Sequence, residues 1–201
     1  MTQLFSLIIL ILSITLHEFF HGYVAYRLGD NTAKNAGRLT LNPIKHLDPV
    51  GSFFLPLSLY LINSPFLFGW AKPVPYNPNN LRDKKYGDAK VAVAGAAANL
   101  ALAIFCALFF RLLGSASLVA PFLLQAIIIN VLLALFNLIP IPPLDGSKIL
   151  ATFLPVRWRL RLFQASPWWG FAFLILFIFF GFDYLVPLVF RLSFGLAGLP
   201  F

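Results

Sequence analysis

His17-Glu18-Phe19-Phe20-His21 lies inside a hydrophobic segment that runs from residue 3 to 28. An apolar segment of this length is about long enough to cross the hydrocarbon core of a bilayer and too long for an ordinary amphipathic surface helix. An ionisable group inside a membrane helix costs about 3 kcal/mol unless it has a partner, so it is a functional candidate by default. We therefore predict a transmembrane helix that carries a functional site.

The two histidines and the glutamate can serve one metal ion. Positions four apart in a helix lie on the same face, so His17 and His21 can bind the ion together while Glu18 lies beside it. The H-E-x-x-H pattern is typical of Zn²⁺ sites in proteases, where the glutamate is the general base. The alternative, a pair of satisfied core histidines, does not explain why the only glutamate of the chain lies between them. We predict Zn²⁺ as the cofactor.

The composition supports a membrane protein. Hydrophobic residues make up 60% of the chain and charged residues 11%, and the mean hydropathy is +0.84. These values are typical of integral membrane proteins, and 201 residues leave room for one membrane domain over 1–201 and for no sizeable soluble module. The single cysteine, Cys106, excludes an intrachain disulfide. We attribute the net charge of +8 to membrane topology and expect no nucleic-acid partner.

We predict an all-α polytopic membrane protein with about four transmembrane helices, a re-entrant segment and short membrane-associated β-strands. The helices are expected at 3–28, 88–113, 118–139 and 168–190. Residues 50–69 are apolar but are interrupted by Pro56, which predicts either a short span or a re-entrant segment. Leu39 and Leu41 alternate with Arg38, Thr40 and Asn42, which predicts a short strand.

The distribution of basic residues favours re-entry of residues 50–69. If that segment returns to the same face, all basic residues except Arg111 and Arg191 share one face, which is 13 of 15. A crossing would weaken this bias, because the basic residues between 27 and 45 would move to the opposite face. Re-entry also makes the helix that carries His17 parallel to the helix that leads to Asp145, so both motifs approach the same half of the membrane. We therefore expect the site in the cytoplasmic half of a plasma membrane.

A second polar motif follows the helix at 118–139. The turn Asn137-Leu138-Ile139-Pro140-Ile141-Pro142-Pro143-Leu144-Asp145-Gly146 contains three prolines, which forbid a regular helix. Unwound backbone at membrane depth is tolerated only where protein or a wet cavity surrounds it, so Asp145 would be a carboxylate delivered to such a cavity. A zinc site needs a third protein ligand, and Asp145 is the acidic residue that follows a broken membrane helix. The alternative role of Asp145 is to cap the helix that starts near Gly146.

With both motifs, the chain resembles the site-2 protease family of intramembrane zinc metalloproteases. The family pattern N-x-x-P-x-x-P-x-D-G is matched at 137–146, and the run Gly-Trp-Ala-Lys-Pro-Val-Pro at 69–75 resembles the small prokaryotic members without a PDZ domain. The resemblance implies that Asp145 is the third zinc ligand and that Asn137 stabilises substrate or the oxyanion. Gly95 and Asn99 match the G-P-x-x-N element, with Ala96 where proline is usual. Asn99 is therefore predicted to bind substrate.

The expected function is hydrolysis of peptide bonds in or near transmembrane segments of membrane-protein substrates, within a prokaryotic plasma membrane. A substrate helix must unwind first, and the predicted strand of Arg38, Leu39, Thr40, Leu41 and Asn42 could hold it by strand addition. Membrane lipids are the other expected partners, and the oligomeric state stays open. Two alternatives remain: a metal-ion transporter or channel, which needs a polar path to both faces, and an inactive scaffold that binds helices.

Overall fold

Helices dominate the computed structural model, which describes residues 2–62, 71–159 and 167–200. In chain order they are α1 (Thr2–Arg27), α2 (Thr32–Asn35), α3 (Leu55–Leu61), α4 (Gly87–Leu113), α5 (Ala120–Asn137), α6 (Asp145–Phe153), α7 (Pro167–Phe180) and α8 (Phe182–Ala197). Two 3₁₀ turns, Pro43–Lys45 and Pro78–Asn80, and a π-helical segment, Pro49–Phe54, lie between them.

Helices α1, α4 and α5 are long and apolar enough to cross a membrane. The pair α7 and α8 passes the same test together, although the two helices are bent by 64° at the break between them. The described residues therefore contain three candidate spans, or four if the bent pair is one broken span. This confirms the coarse prediction of a polytopic helical membrane protein with about four spans.

The directions of the three long helices follow from the polar contacts between them. Gln125 of α5 donates a hydrogen bond to Ser6 of α1, and Asn130 donates one to Ser13, so residue numbers increase together and the two helices are parallel. Helix α4 runs the opposite way, because its residue Val91 lies beside His21 of α1. The C-terminal end of α1, the N-terminal end of α4 and the C-terminal end of α5 therefore meet at one end of the bundle.

Small residues allow α4 to lie at the centre of this bundle. Its segment from 91 to 99 consists mostly of alanine and glycine, which let neighbouring helices approach closely in lipid. Beyond that segment, a core of α4, α5 and α8 side chains fills the other end; its buried members are Ala103, Cys106, Ala107, Phe110, Ala120, Ile127, Val131, Leu185, Val189 and Ala197. Helix α4 is thus the packing partner of both motif-bearing helices.

The predicted single helix at 168–190 is wrong, because the structure breaks it into α7 and α8 at Gly181. A Cβ atom at Gly181 would collide with the ring and carbonyl of Phe177, so the chain bends where only glycine fits. Helix α7 starts beside the turn after α5, since a Cβ at Gly170 would lie 2.7 Å from the carbonyl oxygen of Pro142. Helix α8 ends beside Arg111, which donates to the carbonyl of Leu196. The bent pair therefore runs the length of the bundle.

The predicted strand at 38–42 is also wrong, since no sheet forms within the described residues and the pairing there is one isolated bridge between Leu47 and Ala71. Local side-chain hydrogen bonds replace strand pairing. Asn42 caps the following 3₁₀ turn by accepting from the Ile44 N–H at 3.0 Å, and the carbonyl of Thr40 accepts from His46 at 2.7 Å. Asn and Thr commonly compete with sheet pairing in this way.

The apolar segment 50–69 begins as a continuous helical run, Pro49–Phe54 followed by Leu55–Leu61. Asp48 starts it by accepting hydrogen bonds from the N–H groups of Val50 and Gly51. Pro56 lies near the start of α3, where a proline is tolerated. Residues 63–70 lie outside the described residues, so re-entry stays a prediction.

Candidate metal centre

Three of the predicted site residues converge at the end of the bundle where the C-terminal ends of α1 and α5 meet the N-terminal end of α4. The Nε2 atoms of His17 and His21 are 2.9 Å apart, and Oδ2 of Asp145 lies 3.2 Å from the first and 2.8 Å from the second. Each of the three side chains is at most 9% exposed. The arrangement is the predicted pair of imidazoles on one helix face, joined by a carboxylate that is 128 residues away from His17 along the chain.

The turn before α6 places the carboxylate. Asp145 is the first residue of α6, but the N-cap position is Leu144 and no side chain caps the helix, which rules out the alternative capping role of Asp145. A Cβ atom at Gly146 would overlap the backbone of Leu138 and Ile139, so the glycine lets the turn fold back against the end of α5. This close packing aims the Asp145 carboxylate at the histidines instead of at its own helix.

Gly95 of α4 explains how the imidazole rings fit between the helices. A Cβ atom there would lie 2.6 Å from ring atoms of both His17 and His21, closer than real Cβ contacts allow. Helix α4 therefore presses its bare backbone onto the two rings. Gly95, from the G-x-x-x-N element, thus leaves the space that both predicted metal ligands occupy.

Hydrogen bonds fix which nitrogen of each ring faces inward. His17 Nδ1 lies 2.7 Å from Oδ1 of Asn99, and His21 Nδ1 lies 2.7 Å from the carbonyl oxygen of Val91. Both partners accept, so both Nδ1 atoms carry hydrogen and both Nε2 atoms present lone pairs. Two imidazole lone pairs and a carboxylate oxygen then face one another, which is an electron-rich arrangement that a cation stabilises.

This donor set fits Zn²⁺. Two histidines and one aspartate are common zinc ligands, and three protein ligands leave a fourth position open, as catalytic sites do. Tetrahedral ligands at about 2.0–2.1 Å from zinc are about 3.3 Å apart, only slightly more than the separations observed here. Lys148 donates to Oδ1 of Asp145 at 3.0 Å, which leaves Oδ2 to face the histidines. The three residues are also a metal-binding candidate by the spacing of their ligand atoms, which lie within 4.8 Å of one another.

Glu18, the predicted base, is half-buried and is held by an extended segment outside the helices. Its Oε2 accepts a hydrogen bond of 2.7 Å from the main-chain N–H of Val74. Residues 71–77, which we call the strap, cross α1 at this level, and the Val74 side chain packs where Gly22 leaves room. The predicted base is therefore positioned by loop backbone, within about one helical turn of both His17 and His21.

Arg38 and Asp30 anchor the strap at its two ends. The buried Arg38 guanidinium donates to the carbonyl oxygens of Lys72 at 2.7 Å and Pro73 at 3.4 Å. Asp30 accepts from the N–H of Asn77 at 2.7 Å. Burial raises the pKa of the Asp30 carboxyl, but hydrogen bonds from Thr32, Asn80 and Asn77 outweigh it and hold that pKa below its ordinary value.

Tyr76 links the strap to the helices around the metal centre. The Lys148 Nζ lies 5.3 Å from the centre of the Tyr76 ring, and the Tyr76 hydroxyl donates to the carboxylate of Asp88. Burial and this hydrogen bond raise the pKa of Tyr76, so the phenol keeps its proton and remains a donor. The strap is thus tied to α4 through Asp88 and to the Asp145 carboxylate through Lys148.

Apart from Glu18, none of the other predicted site residues presents a free side-chain group to the space between His17, His21 and Asp145 in this structure, within the described residues. Asn99 is fully buried behind His17, and its hydrogen bonds go to protein groups. Asn137 is half-buried in the last turn of α5, where its amide donates to the carbonyl of Leu133 at 2.9 Å. Of the predicted strand, Arg38 anchors the strap, Leu39 packs near Gly22, and Thr40, Leu41 and Asn42 form the irregular loop described above.

Sequence reasoning missed Ser13 and Asn130, which are fully buried beside Asn99, and it missed Lys148 and Val74. A polar residue inside an apolar membrane helix is a signal in itself. Applied to the run Ile127–Val131 it would have singled out Asn130. The contact between Val74 and Glu18 had no such signal, because it is a main-chain contact between distant segments.

Comparisons with known proteins agree with this chemistry. The model of peptidase family M50 matches residues 112–180, which contain Asn137 and Asp145. A Bacillus subtilis protein named "Putative zinc metalloprotease YwhC" is 40% identical over 183 residues, which cover 87% of this chain and 80% of that protein.

Two mycobacterial relatives carry the same description under the name Rip2. The Mycolicibacterium smegmatis protein is 31% identical over 79% of this chain and 60% of its own length, and the Mycobacterium tuberculosis protein is 32% identical over 84% and 64%. The chain thus spans less than two thirds of either Rip2 protein. No solved structure gives a significant match. By its similarity to YwhC along most of both chains, the chain belongs to peptidase family M50, the site-2 protease family of intramembrane zinc metalloproteases.

Proposed function

We propose that this chain hydrolyses peptide bonds within or near transmembrane segments of membrane-protein substrates, with His17, His21 and Asp145 as zinc ligands and Glu18 as the general base. The observation that carries the proposal is the convergence of two Nε2 lone pairs and one carboxylate oxygen within 3.2 Å. The two imidazoles belong to a candidate membrane span, in which Glu18 is the neighbour of His17. Lys148 pairs with Oδ1 of Asp145, but Oδ2 and the two Nε2 lone pairs face one another. A further cation between them would stabilise this buried set, which supports a metal at this position.

The chain's own groups supply orientation and proton transfer around that metal. Bound Zn²⁺ supplies a Lewis acid that polarises a carbonyl and makes water a nucleophile near neutral pH. Glu18 takes the proton from the attacking water and gives it to the departing amine, which is a typical role of a positioned carboxylate. The hydrogen bond from Val74 to Oε2 fixes the carboxylate plane and leaves Oε1 for this proton.

Asn137 is proposed to donate a hydrogen bond to the oxyanion that forms on the substrate carbonyl. It lies where α5 ends and the turn to Asp145 begins, and its amide must leave the Leu133 carbonyl to reach substrate. Loss of one such donor lowers kcat by about 10²–10³-fold in other enzymes. Asn137→Ala should therefore lower kcat and retain zinc, whereas an unchanged kcat would remove Asn137 from the mechanism.

Residues 38–42 are proposed to hold the unwound substrate, although they form no strand in the free protein. The Arg38 N–H, the Thr40 carbonyl and the Asn42 N–H are already bonded on one side of this segment. Within the described part of the chain, the main-chain groups of Leu39 and Leu41 have no hydrogen-bond partner, so they can pair with a substrate strand. Leu39→Pro should slow cleavage with zinc retained, and full activity would argue against pairing there.

The site is proposed to lie in the cytoplasmic half of a prokaryotic plasma membrane. Nine of the 15 basic residues lie between positions 27 and 90, in the loop between α1 and α4 and at the adjoining helix ends. The positive-inside rule assigns this end of the bundle to the cytoplasm. Labelling of single cysteines in a Cys106→Ala background tests this. Lys84→Cys should react only from the cytoplasmic side and Ser115→Cys only from the outside; the reverse pattern would overturn the orientation.

A reconstituted cleavage assay decides between hydrolysis and the alternatives of metal transport and passive helix binding. Zinc-loaded protein in proteoliposomes is given a panel of single-span membrane proteins, beside a Glu18→Gln variant with the same zinc content. We expect the wild type to cleave at least one substrate and Glu18→Gln to lose about 10²–10⁴-fold in rate. Zinc flux across the vesicle without cleavage would support transport, and equal cleavage by both proteins would refute the role of Glu18.

A further inference from the structure

A chain of buried polar side chains, one hydroxyl and two amides, lies behind His17 and joins the three long helices. Ser13 of α1, Asn99 of α4 and Asn130 of α5 are each fully buried. A buried amide that lacks partners costs about 1–3 kcal/mol, so hydrogen bonds must satisfy these groups. The described residues supply those bonds entirely from protein atoms, which makes the cluster a fixed network with defined directions.

Backbone carbonyls set the direction of every bond in this network. The Asn130 amide nitrogen donates to the carbonyl of Ala126 and to the hydroxyl of Ser13, both at 2.9 Å, so its oxygen must face Asn99. The Asn99 amide nitrogen donates to that oxygen at 2.8 Å and to the carbonyl of Ser13 at 3.2 Å. Its own oxygen is left to face His17 Nδ1. A carbonyl cannot donate, so neither amide can be reversed without losing a bond.

We propose that Asn130 is a positioning residue for His17, acting through Asn99 to keep the Nε2 lone pair of His17 aimed at the metal. This inference rests on the proposed function, in which that nitrogen holds zinc. Groups behind a metal ligand that fix its tautomer and ring orientation commonly change metal affinity by about 10–100-fold when they are removed. Asn130 acts one bond further from the ring, so the lower end of that range applies.

A comparison with His21 shows why only His17 needs the support of Asn99 and Asn130. His21 Nδ1 donates to the main-chain carbonyl of Val91, which the helix holds in place whatever side chains surround it. Nearer the middle of the bundle, Gly95 brings α4 against His17, and the ring meets a side-chain amide that can rotate unless a second amide holds it. Asn130 supplies that hold from α5.

The same two helices contain a matched control. Gln125 of α5 donates to Ser6 of α1, about one and a half turns further from the metal centre. If buried polar contacts between α1 and α5 serve only to pack the helices, the Gln125 and Asn130 contacts should be equivalent. If Asn130 positions His17, only the loss of the Asn130 contact should weaken zinc binding.

The test measures zinc affinity by competition with a chromophoric chelator, on purified full-length protein in detergent. Asn130→Leu removes both hydrogen-bonding groups at similar volume, and Asn130→Ser keeps a hydroxyl for the Ala126 carbonyl but cannot reach Asn99. We expect both variants to raise the zinc Kd about 10-fold, and Gln125→Leu to stay within about twofold of the wild type. The absorption spectrum of the Co²⁺-loaded protein, which reports ligand geometry, should change for the Asn130 variants alone.

The outcomes separate this inference from the proposed function. The inference is overturned if the folded Asn130 variants bind zinc within about twofold of the wild type, or if Gln125→Leu weakens binding equally. Asn130→Ser decides the matter if Asn130→Leu does not fold, and the thermal unfolding of zinc-free samples identifies any general loss of stability. A wild-type protein that binds no zinc would instead sink the proposed function itself.

Discussion

The proposed zinc ligands and the proposed base are held by two regions that differ in construction. His17, His21 and Asp145 lie among helices, where Gly95, Asn99 and the backbone of α4 leave their side chains little freedom. Glu18 lies on the same helix as two of them, yet its partner is the main chain of the strap at 71–77. The strap has no regular secondary structure and depends on anchors from other loops.

This difference suggests that the helical region and the strap control different properties of the protein. Helix packing is a large, cooperative source of rigidity, whereas an extended segment held by a few side chains opens at much lower free energy. Metal binding should therefore depend on the helical region and turnover on the strap. Changes in one region should therefore leave the property of the other nearly intact.

Removal of the third ligand should have the largest effect. Asp145→Ala leaves two imidazoles for the metal and Lys148 without its buried partner, so we expect purified protein to lose its zinc and all measurable cleavage. Metal content by elemental analysis checks this, with Asp183→Ala, at the start of α8, as the control that should keep its zinc. Full zinc content in Asp145→Ala would contradict the assigned ligand set.

Addition of a single methyl group at Gly95 should have the next largest effect on zinc binding. The added Cβ would lie 2.6 Å from atoms of both imidazole rings, so Gly95→Ala should displace them and weaken zinc binding by about 10–100-fold. Gly195→Ala is the matched control, because nothing lies within 4 Å of its Cβ position in α8. Chelator competition measures both, and equal zinc affinity in the two variants would show that the close approach of α4 is not needed.

Loss of a strap anchor should lower turnover without releasing metal. Arg38→Ala frees the carbonyl groups of Lys72 and Pro73, so the Val74 N–H should no longer hold Glu18 in place, and kcat should fall about 10-fold. Zinc affinity should stay at the wild-type level. The exposed Lys45→Ala is the control for loss of a positive charge in the same loop. A larger fall in zinc affinity than in kcat would contradict the division between the two regions.

The smallest effect concerns acid stability of the strap. The folded-state pKa of Asp30 lies below the unfolded value of about 3.9, so its stabilising hydrogen bonds are fully present above that pH and are lost as the pH falls toward the folded pKa. Zinc-free wild type should therefore lose more stability below about pH 4 than Asp30→Asn. Thermal unfolding at pH 6 and pH 3 measures this, and parallel losses in both proteins would remove the contribution of Asp30.

The sequence indicated the helical membrane class, and it singled out His17, His21 and Glu18 as the proposed ligands and base, because these predictions depend on local rules. Apolar length predicts a span, and a spacing of four places His17 and His21 on one face wherever the helix lies. Three prolines predicted the break that delivers Asp145. These features need no knowledge of what packs against the helix, and they also sufficed to recognise the family.

Other predictions failed where tertiary contacts outweighed the local pattern. Alternating Leu39 and Leu41 suggested a strand, but two main-chain groups that a strand would use are bonded to side chains. His46 donates to the Thr40 carbonyl, and the Thr40 hydroxyl accepts from the Asn42 N–H. The apolar run at 168–190 suggested one helix, but only the position of the Phe177 ring relative to Gly181 shows that it bends.

By itself, then, the sequence determined the kind of chemistry and the helix that presents it, since residue type and helical period are local. The tertiary structure alone decided what holds each group: the amides of Asn99 and Asn130 behind His17, the space left by Gly95, and the strap backbone on Glu18. These contacts join residues that are 31 to 82 positions apart along the chain. No local propensity specifies such pairs, because they form only when the helices pack.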